Sequence, residues 1–233
     1  MMLELFPEGF EERDASPGVE LAAYTNAGGE ERLWQVFGRA SSVGVADDWH
    51  ERWRDFHRPV QVGKVWIGPP WNTPPAGSVA VVIDPGRAFG TGGHATTRLC
   101  LGLVEQQPPT SFLDIGCGSG VLAIAAGLLG FRPLVAIDRD PQAVEAATAN
   151  AARNQVDLDV RLLDATQAAL PPSDLTVANV THADVEQIGR RVRSPLFVTS
   201  GYVSAEFPSV PGYRRIKRVE AEGWAADLMR RDE

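Results

Sequence analysis

Apolar positions along the chain change their period near residue 79. From there on, short unbroken apolar runs alternate with stretches where apolar residues recur every three or four positions, the signature of buried strands separated by helices. VAVV at 79–82 reads as a buried strand, and ATTRLCLGLVE as a helix starting near Ala95. FLDI then gives a strand, VLAIAAGLLG a helix of small residues able to lie close against a sheet, and LVAID a second strand closing on Asp138. Asp140 is placed to cap the next helix, with Pro141 at its first position; the helix runs to about Asn154 with Val144, Ala147 and Ala151 inward. DLDVRLLDA predicts a strand ending near Asp164, SDLTVANV one ending at Asn179, and PLFVTSGY a further one. Tyr213–Val219 and Trp224–Met229 read as two final strands. Strands alternating with helices over this length predict an α/β doubly wound sheet with right-handed crossovers.

The earlier residues are less regular. MMLELFPEGFEERD reads as the tail of a helix stopping at Pro7–Glu8–Gly9, and Val19–Thr25 as a half-buried strand. One short helix and one weak strand fill the rest of a small α+β region, 1–46, which can barely bury a core alone. Asp48 and Glu51 form a capping box for a helix that presents Trp49, Trp53 and Phe56 on one face. Packing explains these rings better than substrate contact. Val60–Ile67 alternates as one strand, and the proline-rich GPPWNTPPAGS is an extended connection. The expected division is therefore 1–46, a linker over 47–78, and a main domain over 79–233.

Composition narrows the classes. No apolar run reaches the roughly 18 residues of a membrane span, and no signal peptide precedes the first element, so a soluble, cytoplasmic protein without membrane partners is expected. Cys100 and Cys117 lack metal-ligand spacing and read as reduced side chains; His50, His57, His94 and His182 are scattered, so no metal is expected. A formal charge of −8 argues against a surface built throughout for nucleic acid and fits basic partners. The basic runs 190–193 and 214–218 read as solvent faces of a helix and a strand, not as a direct nucleic-acid contact. Nothing in the sequence specifies an oligomeric state.

The densest chemistry lies in FLDIGCGSG, 112–120. Gly116, Gly118 and Gly120 let the backbone take positive φ and approach a ligand, and the helix that follows aims its free N–H groups at the turn. A nucleotide-like cofactor is the natural occupant, although a plain glycine-rich turn has the same letters. The spacing G-x-G-x-G is tighter than the dinucleotide fingerprint, which disfavours an oxidoreductase using NAD. Asp138, ending the next strand, is placed for ribose hydroxyls. Asp164 is placed for an adenine amino group or for capping its own loop, and Asn179 overlies the same crevice or braces its loop. Phe89, Gly90, Thr91 and Gly92, with Thr96 and Thr97, set a ring, close-approach backbone and hydroxyls before a helix; one threonine suffices for a cap, and the remainder suggests a ligand lid.

DPGRAFGTGGHATTRLCL, LDIGCGSGVLAIAA, AIDRDPQAVEAATANAARN and VANV, with DDWHERWRDFHRPVQVGKVWIGPPW before them, resemble the ribosomal protein L-eleven (L11) methyltransferase family, PrmA, over about residues 47–205. The resemblance implies a seven-stranded Rossmann-like sheet that binds S-adenosyl-L-methionine, preceded by a linker helix and a small substrate-recognition domain, of which 1–46 reads as an incomplete version. It implies cofactor contacts at Thr97, Gly116, Asp138 and Asn179, with Phe89 to Thr91 closing the site; Asn179, Phe89 and Thr91 are the expected positioning groups for catalysis. It also implies a protein N-methyltransferase whose partner is a basic ribosomal protein, methylated on lysine side chains and the N-terminal amine. THADV after Asn179 departs from the family pattern. Transfer to another acceptor, or a non-catalytic cofactor-binding relative, are the alternatives.

Overall fold

The structure is a computed structural model of the chain, and it describes residues 11–14, 19–22, 33, 36–37, 58–84 and 92–232. The chain divides into two compact units, Met1–Arg52 and Trp53–Glu233. In the first, β1 (Glu11–Asp14) pairs antiparallel with β2 (Val19–Ala22). A strand from Val19 was expected; a strand over 11–14 was not, because four consecutive polar residues carry no alternation and owe their extension to the partner. The expected helix bearing Trp49, Trp53 and Phe56 lies outside the described residues.

The second unit opens with a small sheet of β3 (Val60–Val62), β4 (Val65–Gly68) and β5 (Val79–Val82), in that order, with β3 and β4 antiparallel and β4 and β5 parallel. The single strand expected over 60–67 is thus a hairpin reversing at Gly63–Lys64. A two-residue turn keeps Val62 opposite Val65; the apolar positions shift from Val60 and Val62 to Val65 and Ile67 across it, and Gly63, at φ +53°, is the local mark of the reversal.

The main sheet contains β6 (Phe112–Ile115), β7 (Leu134–Asp138), β8 (Asp159–Leu162), β9 (Leu175–Asn179), β10 (Leu196–Val203), β11 (Tyr213–Ala221) and β12 (Trp224–Arg231), ordered β11-β12-β10-β9-β6-β7-β8. Strands β10, β9, β6, β7 and β8 are parallel, and β12 lies antiparallel between β10 and β11. The expected seven-stranded α/β architecture is present. Strand order reverses on either side of β6, with β7 and β9 as its two neighbours, and such a switch point opens a crevice at the carboxyl ends of the strands.

Four described helices flank the sheet: α1 (Ala95–Val104), α2 (Val121–Leu128), α3 (Pro141–Arg153) and α4 (His182–Gly189). Asp140 caps α3 as expected, accepting from the Gln142 N–H at 2.9 Å. His94, not a threonine, caps α1: its ring nitrogen Nδ1 sits 2.7 Å from Thr96 Oγ1 and 3.4 Å from the Thr96 N–H. Ala143, Ala147, Asn150 and Ala151 form the buried stripe of α3, while Val144, expected inward, is half-buried.

Alternate residues of each central strand enter different cores. Phe112, Val177, Val198 and Leu228 pack with α1 and α2, whereas Leu113, Ala178, Phe197 and Met229 pack with α4. Burial on both faces is why these strands read as continuous apolar runs. The antiparallel hairpin is locked by Asp227, fully buried, whose Oδ2 accepts from Tyr202 at 2.9 Å and from Arg218 at 3.1 Å, with Arg215 2.9 Å from Oδ1.

One asparagine joins the small sheet to α3. At the end of α3, Asn154 donates to the Val82 carbonyl at 2.7 Å and accepts from the Val82 N–H at 2.8 Å, pairing the free edge of β5 as a further strand would. Asn154→Ala leaves both Val82 groups unpaired in a partly buried setting and is expected to cost about 1–3 kcal/mol in urea denaturation; a loss below about 0.5 kcal/mol would mean that water replaces the amide.

Candidate functional site

The crevice over β6, β7 and β9 begins at the glycine turn. Gly116, Gly118 and Gly120 have φ of +69°, +53° and +79°. At Gly116 a side chain is doubly excluded, since a Cβ there would lie 2.5 Å from Val180 Cγ1. Three side chains hold the turn in place. Asp138, ending β7, accepts from the Gly118 N–H at 2.9 Å through Oδ2 and from the Asp140 N–H at 3.0 Å through Oδ1. Asn150 on α3 donates to the Ser119 carbonyl at 3.0 Å. Asp114, within β6, accepts from the Ala123 N–H at 3.2 Å, supplying a cap that Gly120, the N-cap of α2, lacks.

Asp138 therefore does more than was read from the sequence. It stands at the end of its strand as expected, and one lone pair on each oxygen already serves the backbone; each oxygen keeps a second. Asp164 follows β8, and its Oδ1 accepts from the Thr166 N–H at 2.8 Å and the Thr166 hydroxyl at 2.7 Å. Those bonds, the hydroxyl first, hold its carboxyl below the ordinary carboxylate range. This is the loop-capping arrangement, and it engages one carboxylate oxygen.

Thr97 and Asn179, 82 residues apart, are brought together across the switch point: the Asn179 amide donates to Thr97 Oγ1 at 3.4 Å. Asn179 is half-buried at the end of β9, and its Oδ1 makes no hydrogen bond among the described residues. Phe89 and Thr91 lie outside the described residues; Gly92, which follows them, is buried.

Four further residues shape this end of the sheet and were not singled out by sequence. Gly201, in the bulge of β10, has φ +101°, and a Cβ there would stand 2.0 Å from the Val180 carbonyl oxygen, next to Asn179. Trp224 meets the His94 ring edge-on at 4.8 Å, and Glu222 pairs with Arg98 at 2.7 Å, so the β11–β12 turn braces the start of α1 and with it Thr97. A glycine inside an apolar strand is the one local signal for any of these.

Electrostatically, Asp114 and Asp138 make the floor of the turn acidic. Asp114 is 1% exposed, and burial, with Asp138 adding to it and the Ala123 N–H opposing, pushes its pKa from 3.8 up to about 7. Burial likewise raises the Cys100 and Cys117 thiols, which are free and inert. The unfolded chain ionises Asp114 near 3.8 and the folded chain near 7. The folded state thus holds the extra proton in between, and stability from this group falls as pH rises through that window. Asp114→Asn keeps an acceptor for Ala123 and abolishes the fall: its melting temperature should match the unsubstituted protein near about pH 4 and exceed it above about pH 7. A calorimetric gap that does not widen with pH would show Asp114 ionised throughout.

Comparison with known proteins follows the same lines. The profile of the family described as "Ribosomal protein L11 methyltransferase (PrmA)" matches residues 24–226. A ribosomal protein L11 methyltransferase of Symbiobacterium thermophilum is 40% identical over 198 residues, 78% of this chain and 65% of the relative. One of Burkholderia multivorans is 42% identical over 225 residues, 91% of this chain and 73% of the relative. The matched stretch spans only 46% of the Hydrogenovibrio crunogenus relative. Among solved structures, a ribosomal protein L11 methylase from Lactobacillus delbrueckii subsp. bulgaricus superposes with TM-score 0.66 at 26% identity, covering 76% of this chain and all of that one. A Pyrococcus abyssi tRNA (uracil-54, C5)-methyltransferase, solved with S-adenosyl-L-homocysteine, shares the fold at TM-score 0.55 and 16% identity, over 75% of this chain and 44% of that one. On the family match and these identities, the chain belongs to the ribosomal protein L11 methyltransferase (PrmA) family.

Proposed function

We propose that this chain is an S-adenosyl-L-methionine-dependent protein N-methyltransferase that acts on amino groups, the lysine side chain and the N-terminal amine, of ribosomal protein L11. The observation that carries the reading is the pairing of Thr97 with Asn179 beside the glycine turn at the switch point, in a chain belonging to this family. Residues 1–46 are proposed to contribute to acceptor recognition and 79–233 to carry the cofactor.

The residues present fit the cofactor. Three of the five positions in the turn at 116–120 carry no side chain, Asp138 retains lone pairs for hydroxyl donors, and Asp164 has an uncommitted carboxylate oxygen. Acidic groups at 114 and 138 suit a positively charged ligand. When bound, S-adenosyl-L-methionine supplies an electrophilic methyl group on a sulfonium that departs as a neutral thioether. The protein's own task is then alignment, since orienting two reactants is worth effective molarities of about 10⁵ to 10⁸ M. Asn179, steadied by Thr97, offers its free Oδ1 to an amine N–H, which turns the nitrogen lone pair in a fixed direction. A lysine, ordinarily near pKa 10.4, must shed its proton first, and desolvation in the crevice favours the neutral amine. No side chain is assigned as a base. Phe89 and Thr91 are proposed to help close the site.

Incubation of the purified chain with methyl-labelled S-adenosyl-L-methionine and recombinant L11 should place label on that protein. Asn179→Ala should lower turnover about 100-fold and weaken the cofactor less than Asp138→Ala does in calorimetry, and Asp138→Ala should weaken it at least about 10-fold by freeing the turn. Absence of cofactor binding in the unsubstituted protein would overturn the reading; label in small molecules instead would transfer it to another acceptor.

A further inference from the structure

The basic run at 190–193 contains one side chain that turns back onto the fold. Arg191 follows α4 and donates from a single nitrogen, Nη2, to the carbonyls of Gln167 at 2.6 Å and Ala168 at 2.8 Å, 24 and 23 residues away. Those carbonyls end the turn that begins at Asp164. The Asp164 carbonyl accepts from the N–H groups of Gln167 and Ala168 at 3.1 and 3.0 Å, and its Oδ1 accepts from the Thr166 N–H at 2.8 Å, so the segment is one helical turn with its own cap. A single turn does not hold its shape unaided. Ala165 pins its middle in the core beside α4, with Leu163, Leu170, Val185 and Ile188. An acid closes its first end, and Arg191 closes its last.

The shape of this turn decides where Asp164 is aimed. Leu162 stands level with Asp138 across β7 and β8, and the Leu163 N–H donates to the Asp138 carbonyl at 2.8 Å, so Asp164 leaves the sheet beside Asp138 at the crevice end. Its Oδ2 makes no hydrogen bond among the described residues. The Thr166 hydroxyl and N–H, with the charges of Arg139 and Arg191 behind them, hold the carboxyl below the ordinary carboxylate range, so Oδ2 can only accept. With Oδ1 tied to the turn, the direction of Oδ2 follows the turn, and the far end of the turn follows Arg191. A role in stability alone does not account for this residue. Arg191 Nε is buried and finds no acceptor among the described residues, a cost that an apolar side chain would avoid.

We propose that Arg191 is a positioning residue for the adenine of the cofactor: it fixes the turn 164–168 so that Asp164 Oδ2 meets the 6-amino group, and the site thereby selects adenine over a base lacking that donor. The inference rests on the cofactor reading above and names, within it, the residue that sets base selectivity. Arg191 acts through the turn and needs no contact with the cofactor. Both of its bonds leave one nitrogen, so the guanidinium fork is not what is used, and a lysine ammonium in the same place can serve both carbonyls.

The test is calorimetric titration of the full chain with S-adenosyl-L-homocysteine and with its purine analogue, in which hydrogen replaces the 6-amino group. The unsubstituted protein should bind the adenosyl ligand at least about 10-fold more tightly, as one hydrogen bond to a charged acceptor requires. Arg191→Met should reduce that preference to below about 3-fold, chiefly by weakening the adenosyl ligand, and Arg191→Lys should restore it. Where Arg191→Met does not fold, Arg191→Gln, too short to reach both carbonyls, should show the same reduction. Arg190→Met, one residue away, should leave both affinities unchanged. General loosening of the fold weakens the two ligands alike, so the ratio of affinities separates positioning from stability. Equal weakening of both ligands in the Arg191 variants, an unchanged ratio, or no preference in the unsubstituted protein would each overturn the proposal. If the unsubstituted protein binds neither ligand, the cofactor reading falls with it; methyl transfer to L11 together with an unchanged ratio would overturn this proposal and leave that reading standing.

Discussion

A backbone that takes three positive-φ residues within five cannot define its own shape, and the crevice depends on what holds it. The restraint comes from outside the turn: Asp138 on β7 grips the Gly118 N–H, Asn150 on α3 grips the Ser119 carbonyl, and Asp114 on β6 grips the start of α2. Each belongs to a different element of the doubly wound unit. The turn is therefore fixed only when strand, crossover helix and neighbouring strand are all in register, which makes it a product of the whole unit. Asn150 extends the same chain of restraint by accepting from the Asp84 N–H at 3.2 Å, where β5 leads toward residues 85–91.

This dependence explains what the sequence made legible. Burial of β6, β9 and β10 on both faces leaves apolar runs, Asp140–Pro141 announces a helix start, and the glycines at 116, 118 and 120 announce a tight turn; all of these are local statements. The partners of Asp138, Asn150 and Asn154 are not. Beyond their local bonds, their targets in the glycine turn and at the end of β5 lie 20 to 72 residues away, and no periodicity records a hydrogen bond over that distance. The hairpin at Gly63–Lys64 did leave a local mark, a glycine followed by a lysine that shifts the apolar positions from Val60 and Val62 to Val65 and Ile67, but a mark too short to stand out within one apolar stretch. Likewise, the run 190–193 follows α4 instead of lying on it, and its proximity to 214 and 230–231 arises only once β10, β11 and β12 are paired. Thr97 and Asn179 were placed in one crevice by the resemblance to a family; their mutual contact is a feature of the fold.

Asp114 illustrates a tension within this arrangement. A carboxyl that is 1% exposed beside a second carboxylate is costly to ionise, yet a neutral apolar residue there would leave the Ala123 N–H unserved at a helix start whose cap is glycine. On the reading proposed above, an incoming cation resolves the conflict, because positive charge near Asp114 favours its ionised form. Binding and ionisation of Asp114 then assist one another, and a group that costs stability without ligand repays it with ligand bound.

Polar side chains sort to the two ends of the sheet. The crevice end carries Asp138, Asp164 and the pair Thr97–Asn179, while the other end carries Arg214 and Arg230 together with Asp174 and Asp232. The central strands impose this separation: buried on both faces, they admit polar side chains only where partners exist inside, as for Asp227 with Tyr202 and Arg218, and otherwise send them to the strand termini.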